Sequence, residues 1–264
     1  MREDRPSLTA RWIAAQRARL AGTRSSTPGG DTEGERRLYQ TMGRGFVLPG
    51  LAPTGLAERT RFIDEEVARA IGRGVEQIVL IGAGYDGRAL RFGGGPTRWI
   101  EVDFPSTQAD KHRRLSALGI SPSGVTYAGV DLMTGDLESA LTEAGHDPAR
   151  PSLFVCEGLL ASLSLEVGAA LCETLRARSA PASVLAVNFR VIPAAGARGR
   201  ALRRLVDGVL SLIGETRRTE FLPGDPEKLM VVTGWHIIRS TRSAPGKVDQ
   251  GAHLLVVACE PSLV

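Results

Sequence analysis

Residues Gln77–Gly87 read QIVLIGAGYDG, and the fold is decided there. Ile78–Ile81 is an apolar run rich in β-branched residues. Such a run reads as a strand buried on both faces, as in a parallel sheet. Gly82-Ala83-Gly84 then permits a tight turn, with no Cβ at either glycine to hold a ligand away. Asp86 is placed to cap a helix over Gly87–Phe92. A strand, a glycine turn and a helix make a site for an adenosine-containing cofactor, although a bare βα turn can carry the same letters.

The next segment separates these two readings. Arg98–Val102 reads as a second strand ending in Glu101-Val102-Asp103. An acid at that tip can accept hydrogen bonds from both ribose hydroxyls. Gly82, Gly84 and Gly87 also satisfy G-x-G-x-x-G, with the acid about 20 residues on, as in NAD enzymes. A short-chain reductase would further need a tyrosine with a lysine four residues on. The tyrosines are Tyr39, Tyr85 and Tyr127, and none has it.

Outward from this core the chain alternates. Strands are expected over Gln77–Ile81, Arg98–Val102, Val125–Val130, Ser152–Cys156 and Ser183–Phe189. The helices between them fall over Gly87–Phe92, Ser106–Leu118, Gly135–Ala144 and Leu165–Arg178. Repeated βα units imply a parallel sheet covered on both faces. Two last strands, His236–Thr241 and His253–Cys259, are joined by a loop too short for a crossover helix, so they pair antiparallel. The expected fold is therefore α/β: a doubly wound, seven-stranded, Rossmann-like sheet of five parallel strands plus a C-terminal antiparallel hairpin. That pattern suits a methyltransferase better than a dehydrogenase.

Before the sheet, helices are expected over Leu8–Leu20, Glu35–Met42 and Glu58–Ile71. Gly22–Gly34 and Phe46–Gly55 read as loops. After the fifth strand come helices over Ala197–Ile213 and Asp225–Thr233. This divides a single domain into an N-terminal cap (1–57), a cofactor-binding core (58–193), a lid insert (194–234) and the hairpin (235–264).

Composition sets the outer bounds. Of 264 residues, 42% are hydrophobic and 23% charged, which suits a soluble globular protein. No run approaches the length of a membrane span, and MREDRPSLTARW lacks a signal-peptide core; the expected location is the cytoplasm. Cys156, Cys172 and Cys259 lack metal or redox spacing and read as buried thiols. His112, His146, His236 and His253 form no ligand pattern, so no metal is expected. The formal charge of +4 is too mild to point to nucleic acid.

Two more acids follow predicted strands, where ligands of such sheets bind. Asp131-Leu132 can read an adenine ring, the carboxylate accepting from the amino group and the Leu132 N–H donating. Glu157-Gly158 follows the fourth strand, beside the far end of the cofactor. Each acid could equally be a helix cap.

The stretches RTRFIDEEV, VLIGAGYDGRALRF, IEVDFP and FVCEGLLASL, with TARWIAAQRARL before them, resemble the leucine carboxyl methyltransferase family. The bacterial branch that methylates polyketides is the nearest in pattern. The likeness spans residues 8–190. It implies a class I fold and S-adenosylmethionine. By this resemblance Arg61 binds the methionine carboxylate, and Gly82, Ala83 and Gly84 pass under the cofactor. Asp103 holds the ribose, Asp131 and Leu132 read adenine, and Glu157 lines the methionine end. Two departures stand out: Tyr85-Asp86-Gly87-Arg88 replaces the frequent Leu-Asp-Thr-Arg, and Leu90 replaces an aromatic.

The expected activity is methylation of an oxygen on a small acidic molecule, preferably a carboxylate. Tyr39 and Arg190 are the expected substrate contacts, and no catalytic base is assigned. Arg198, Arg200, Arg203 and Arg204 read as the wet face of a lid helix. The alternatives are hydroxyl methylation, another reaction of the same cofactor such as a cyclisation, or a module that binds the cofactor without catalysis.

Overall fold

The computed structural model describes residues 6–20, 32–42, 55–121, 124–192, 208, 218–243 and 252–259. The helix expected over 197–213, with the arginines on it, lies outside these residues apart from Gly208. So do most of the loops expected over 22–34 and 46–55.

One seven-stranded sheet organises the chain, in the order β3-β2-β1-β4-β5-β7-β6. Its strands are β1 (Gln77–Ile81), β2 (Arg98–Asp103), β3 (Val125–Gly129), β4 (Ser152–Cys156), β5 (Val184–Val191), β6 (His236–Arg242) and β7 (Ala252–Cys259). The first five run parallel, while β7 is antiparallel to both β5 and β6. Both the five βα strands and the reversed hairpin are as the sequence pattern predicts. The order changes direction between β1 and β4, and such a switch point opens a crevice outside the carboxyl ends of the strands.

Every residue of β1 and of β4 is buried. Alternation along β1 sends Val79 and Ile81 into one core and Ile78 and Leu80 into the other. The first core is closed by Leu137 and Leu141 of α6 (Leu137–Glu143), Leu171 and Leu175 of α7 (Leu165–Ala177), and Leu229 and Met230 of α8 (Asp225–Val232). The second is closed by Phe62, Ile63, Val67 and Ala70 of α3 (Leu56–Gly72) and Ala89 of α4 (Arg88–Phe92). A third, smaller cluster joins α1 (Leu8–Leu20) and α2 (Thr32–Gln40) to Tyr85 and to Leu115 of α5 (Pro105–Ala117). It holds the N-terminal helices beside the glycine turn.

Most boundaries shift by one to three residues from expectation, and three of the shifts have a visible cause. Helix α6 begins at Leu137 because Asp136 caps it, accepting from the Ser139 N–H at 3.0 Å. Gly87, without a side-chain cap, starts α4; the Asp86 carboxylate instead accepts from the Arg88 N–H at 2.8 Å. Strand β5 continues through Val191 because β7 pairs with it along that length, so Arg190 lies within the strand.

Candidate active site at the strand ends

Four neighbouring strands deliver the site. In spatial order across the sheet, β3 leads to Asp131, β2 ends at Asp103, β1 opens into Gly82–Gly84, and β4 leads to Glu157. Gly82 and Gly84 adopt φ of 67° and 53°, the left-handed region where a Cβ is disfavoured. A Cβ on Gly84 would also stand 3.0 Å from the Ala10 Cβ of α1.

The Asp103 carboxylate ties the turn to β2. One oxygen accepts from the Gly84 N–H and the other from the Phe104 N–H, each at 2.7 Å. Glu101, two residues earlier, is buried and bound to the Lys111 ammonium at 2.5 Å. That ammonium also donates to the Asp86 carbonyl at 2.6 Å. Asp131 accepts from the Met133 N–H at 2.9 Å and shapes its own turn. Leu132 packs, partly buried, on the first core.

Glu157 is the hub of a buried ionic cluster. It accepts from Arg17 of α1 at 2.6 Å, Arg59 of α3 at 2.7 Å and Arg88 of α4 at 2.6 Å. Arg88 also reaches Asp64 at 2.6 Å and Asp86 at 2.5 Å, and Arg91 reaches Asp64 at 2.7 Å. Burial alone would push the Glu157 carboxyl up; Arg17, Arg88 and Arg59 overcome it and hold the group well below the usual carboxylate range. Arg59 shows the opposite balance. Its burial outweighs the pull of Glu157, with the Arg17 and Arg88 cations adding to it, and lowers its pKa. A Cβ on Gly158 would lie 3.9 Å from both terminal nitrogens of Arg59, so the guanidinium faces the corner after β4.

The two arginines of the RTRFID run take different sides of α3. Arg61 lies on the exposed side of α3, while Arg59 is buried against Glu157. Helical phase explains the difference. Leu56, Phe62, Ile63, Val67 and Ala70 define the buried face; Arg59 falls within that stripe, and Arg61 falls opposite it at 100° per residue. Tyr39 lies inside the packing of the N-terminal helices. It is 2% exposed, and its hydroxyl donates to Glu35 at 3.0 Å and accepts from the Gly87 N–H at 3.0 Å. It pins α2 to the start of α4. Arg190 is half-buried in β5, paired in register with His253 of β7.

Arg17, Arg88, Asp64 and Asp86 were not foreseen as one cluster. The letters "DGR" and "FID" carry three of them and "AQRA" carries Arg17, but nothing local says that they converge. His253 was also missed. A search for groups that follow strands overlooks it, because β7 is antiparallel and its beginning lies at the carboxyl edge of the parallel strands.

The three cysteines are buried and free. Among the described residues there is no group of His, Cys, Asp or Glu able to hold a metal ion, and no helix long and apolar enough to cross a membrane.

A seven-stranded sheet with a reversed hairpin, carrying a glycine turn and an acid at successive strand ends, defines a Rossmann-like protein of the class I methyltransferase type. Comparison with known proteins agrees. The family model for leucine carboxyl methyltransferase matches residues 19–176, and the chain belongs to that family. A protein named "Putative S-adenosyl-L-methionine-dependent methyltransferase" from Mycolicibacterium gilvum is 39% identical over 152 residues, which are 56% of this chain and 49% of that one. A similarly named protein from Parafrankia sp. is 37% identical over 147 residues, covering 55% and 47%. The chain thus spans about half the length of the curated relatives it matches. The solved structure of a DUF574 family protein from Streptomyces avermitilis superimposes with a TM-score of 0.61 at 16% identity, over 98% of this chain and 100% of that one. That last likeness is one of fold. S-adenosylmethionine is the cofactor that the family and the named relatives indicate.

Proposed function

We propose that the protein is an S-adenosylmethionine-dependent O-methyltransferase whose acceptor is a small acidic molecule, preferably a carboxylate. The observation that carries this reading is the row of groups across four neighbouring strand ends. Asp131 and Leu132 suit adenine, Asp103 the ribose, the glycine turn the backbone approach, and Glu157 with Arg59 the methionine end. A zwitterionic amino-acid group needs one anion and one cation, and Glu157 beside Arg59 supplies both.

The cofactor supplies a methyl group on a sulfonium. A carboxylate acceptor is already ionised at pH 7, so the protein need only align it and exclude water. Arg190 stands one strand beyond Glu157, where it could meet an acidic acceptor. The family name supports a carboxyl acceptor, and the resemblance to the polyketide-methylating branch supports a role in natural-product tailoring.

Methyl-labelled cofactor incubated with panels of small acids and phenols tests the reading. Label released by mild base marks an ester, and base-stable label marks transfer to a hydroxyl. No transfer to any acceptor would favour a binding module. Calorimetry should show S-adenosylhomocysteine binding far more tightly than NAD; equal affinities would defeat the cofactor assignment.

Asp103→Ala should weaken S-adenosylhomocysteine binding by about 1.5–3 kcal/mol, the worth of hydrogen bonds to a charged group. Adenosine should lose as much, because the ribose is common to both. Unchanged affinity for either ligand would take the ribose away from Asp103.

A further inference from the structure

Asn188 of β5 and His253 of β7 are both buried. They stand at the carboxyl edge of the parallel strands. We infer that these two residues form a relay that positions the Glu157–Gly158 corner. The inference rests on reading that corner as the methionine end of the cofactor site.

The geometry gives the relay a direction. The Gly158 N–H donates to Asn188 Oδ1 at 2.6 Å. A backbone N–H can only donate, so the amide oxygen must face Gly158. The amide nitrogen then faces His253 Nδ1 at 2.9 Å. That nitrogen can only donate, so Nδ1 must be the bare nitrogen, and the neutral ring carries its proton on Nε2. Register permits the contact: His253 sits opposite Arg190 and Leu255 opposite Asn188, so Asn188 and His253 are diagonal neighbours on one face.

The far end is anchored as firmly. The His253 N–H donates to Ser243 Oγ at 2.9 Å, and the Ser243 N–H donates to the His253 carbonyl at 2.9 Å. Gly55, which starts α3, lies against both: a Cβ there would stand 2.6 Å from Ser243 Oγ and 3.4 Å from His253 Cδ2. The relay therefore joins the corner after β4, through β5 and β7, to the start of the helix that carries Arg59. Both halves of the proposed methionine site, Glu157 and Arg59, are referenced to it. Asn188 and His253 are positioning residues that act through Gly158.

Two measurements test this. The chain has four histidines, so His253→Gln identifies the His253 signal in nitrogen–proton spectra of the imidazoles. The parent should show His253 neutral with the proton on Nε2. In Asn188→Asp one carboxylate oxygen still accepts from Gly158 and the other faces Nδ1, so a proton should appear on Nδ1. A parent ring already protonated on Nδ1, or no change in Asn188→Asp, would overturn the relay. Second, Asn188→Ala should weaken S-adenosylhomocysteine binding about tenfold, the effect of leaving one N–H without its acceptor. A lower melting temperature with unchanged affinity would reduce the pair to a structural contact and overturn the inference. Should Asn188→Ala fail to fold, the Asn188→Asp spectra decide. Failure of the parent to bind S-adenosylhomocysteine would instead defeat the cofactor reading, and the tautomer result would stand apart from it.

Discussion

Replacing Arg88 with methionine is expected to remove about 3–5 kcal/mol of folding stability, the cost of breaking a buried ion pair from one side. Arg88 is 1% exposed, and its guanidinium serves three carboxylates at once, on Asp64, Asp86 and Glu157. Methionine keeps the apolar length of the side chain and removes only the charge and its donors. Afterwards Asp64 retains Arg91, Asp86 retains Arg17 at 3.4 Å, and Glu157 retains Arg17 and Arg59. Three buried anions then share too few donors. Urea unfolding should show the loss as a lower midpoint with an unchanged slope.

Acid titration gives a second readout of the same change. The folded-state pKa of Glu157 is depressed, so its contribution is present above the ordinary carboxylate value of about 4.3 and fades as pH falls towards the depressed one. Without Arg88 that depression shrinks, and acid unfolding should begin at a higher pH. A loss below about 1 kcal/mol, the range of exposed pairs, would show that the cluster contributes no more than surface charges do.

Arg59→Ala should weaken S-adenosylhomocysteine binding by about 2–4 kcal/mol, as for truncating one partner of a desolvated charge pair. Adenosine lacks the amino-acid end, so its weaker binding should change little. Arg61→Ala provides the internal contrast, since Arg61 is exposed on the same helix two residues away; it should leave both ligands nearly unaffected. Arg59→Lys keeps the charge without the planar fork and should fall between the parent and the alanine variant. Calorimetry of both ligands on each variant, with melting temperatures beside them, separates a binding defect from a folding defect. Equal losses for adenosine and S-adenosylhomocysteine would make Arg59 structural, and a larger effect at Arg61 would reverse the assignment.

The Arg59 case shows how legible the site was. The run RTRFID contains two arginines with the same local chemistry, and resemblance alone pointed to the second of them. The helical stripe set by Leu56, Phe62, Ile63 and Val67 was the available signal, and it favours Arg59. Tyr39 reads from the sequence as a pocket residue beside a loop. Burial shows that its hydroxyl is committed to Glu35 and Gly87. His253 was out of reach of any rule about residues following strands, because only the reversal of β7 brings it to the active edge.

What the sequence determined by itself is local and periodic. The strands β1 and β4 were read to the residue, since an apolar run bounded by Gly or polar residues has few alternatives. The alternation of βα units implied the parallel sheet, and the short connection before β7 implied the reversed hairpin. The glycine turn and the acid at the end of β2 followed from the same short-range logic. Tertiary structure decided everything that depends on convergence. Arg17, Arg59, Arg88, Asp64, Asp86 and Glu157 come from α1, α3, α4, the turn after β1 and the corner after β4. Apart from Glu157, each reads alone as a solvated charge or a cap. Only the packing of α1 and α3 over the strand ends removes water from them together, and desolvation obliges them to pair.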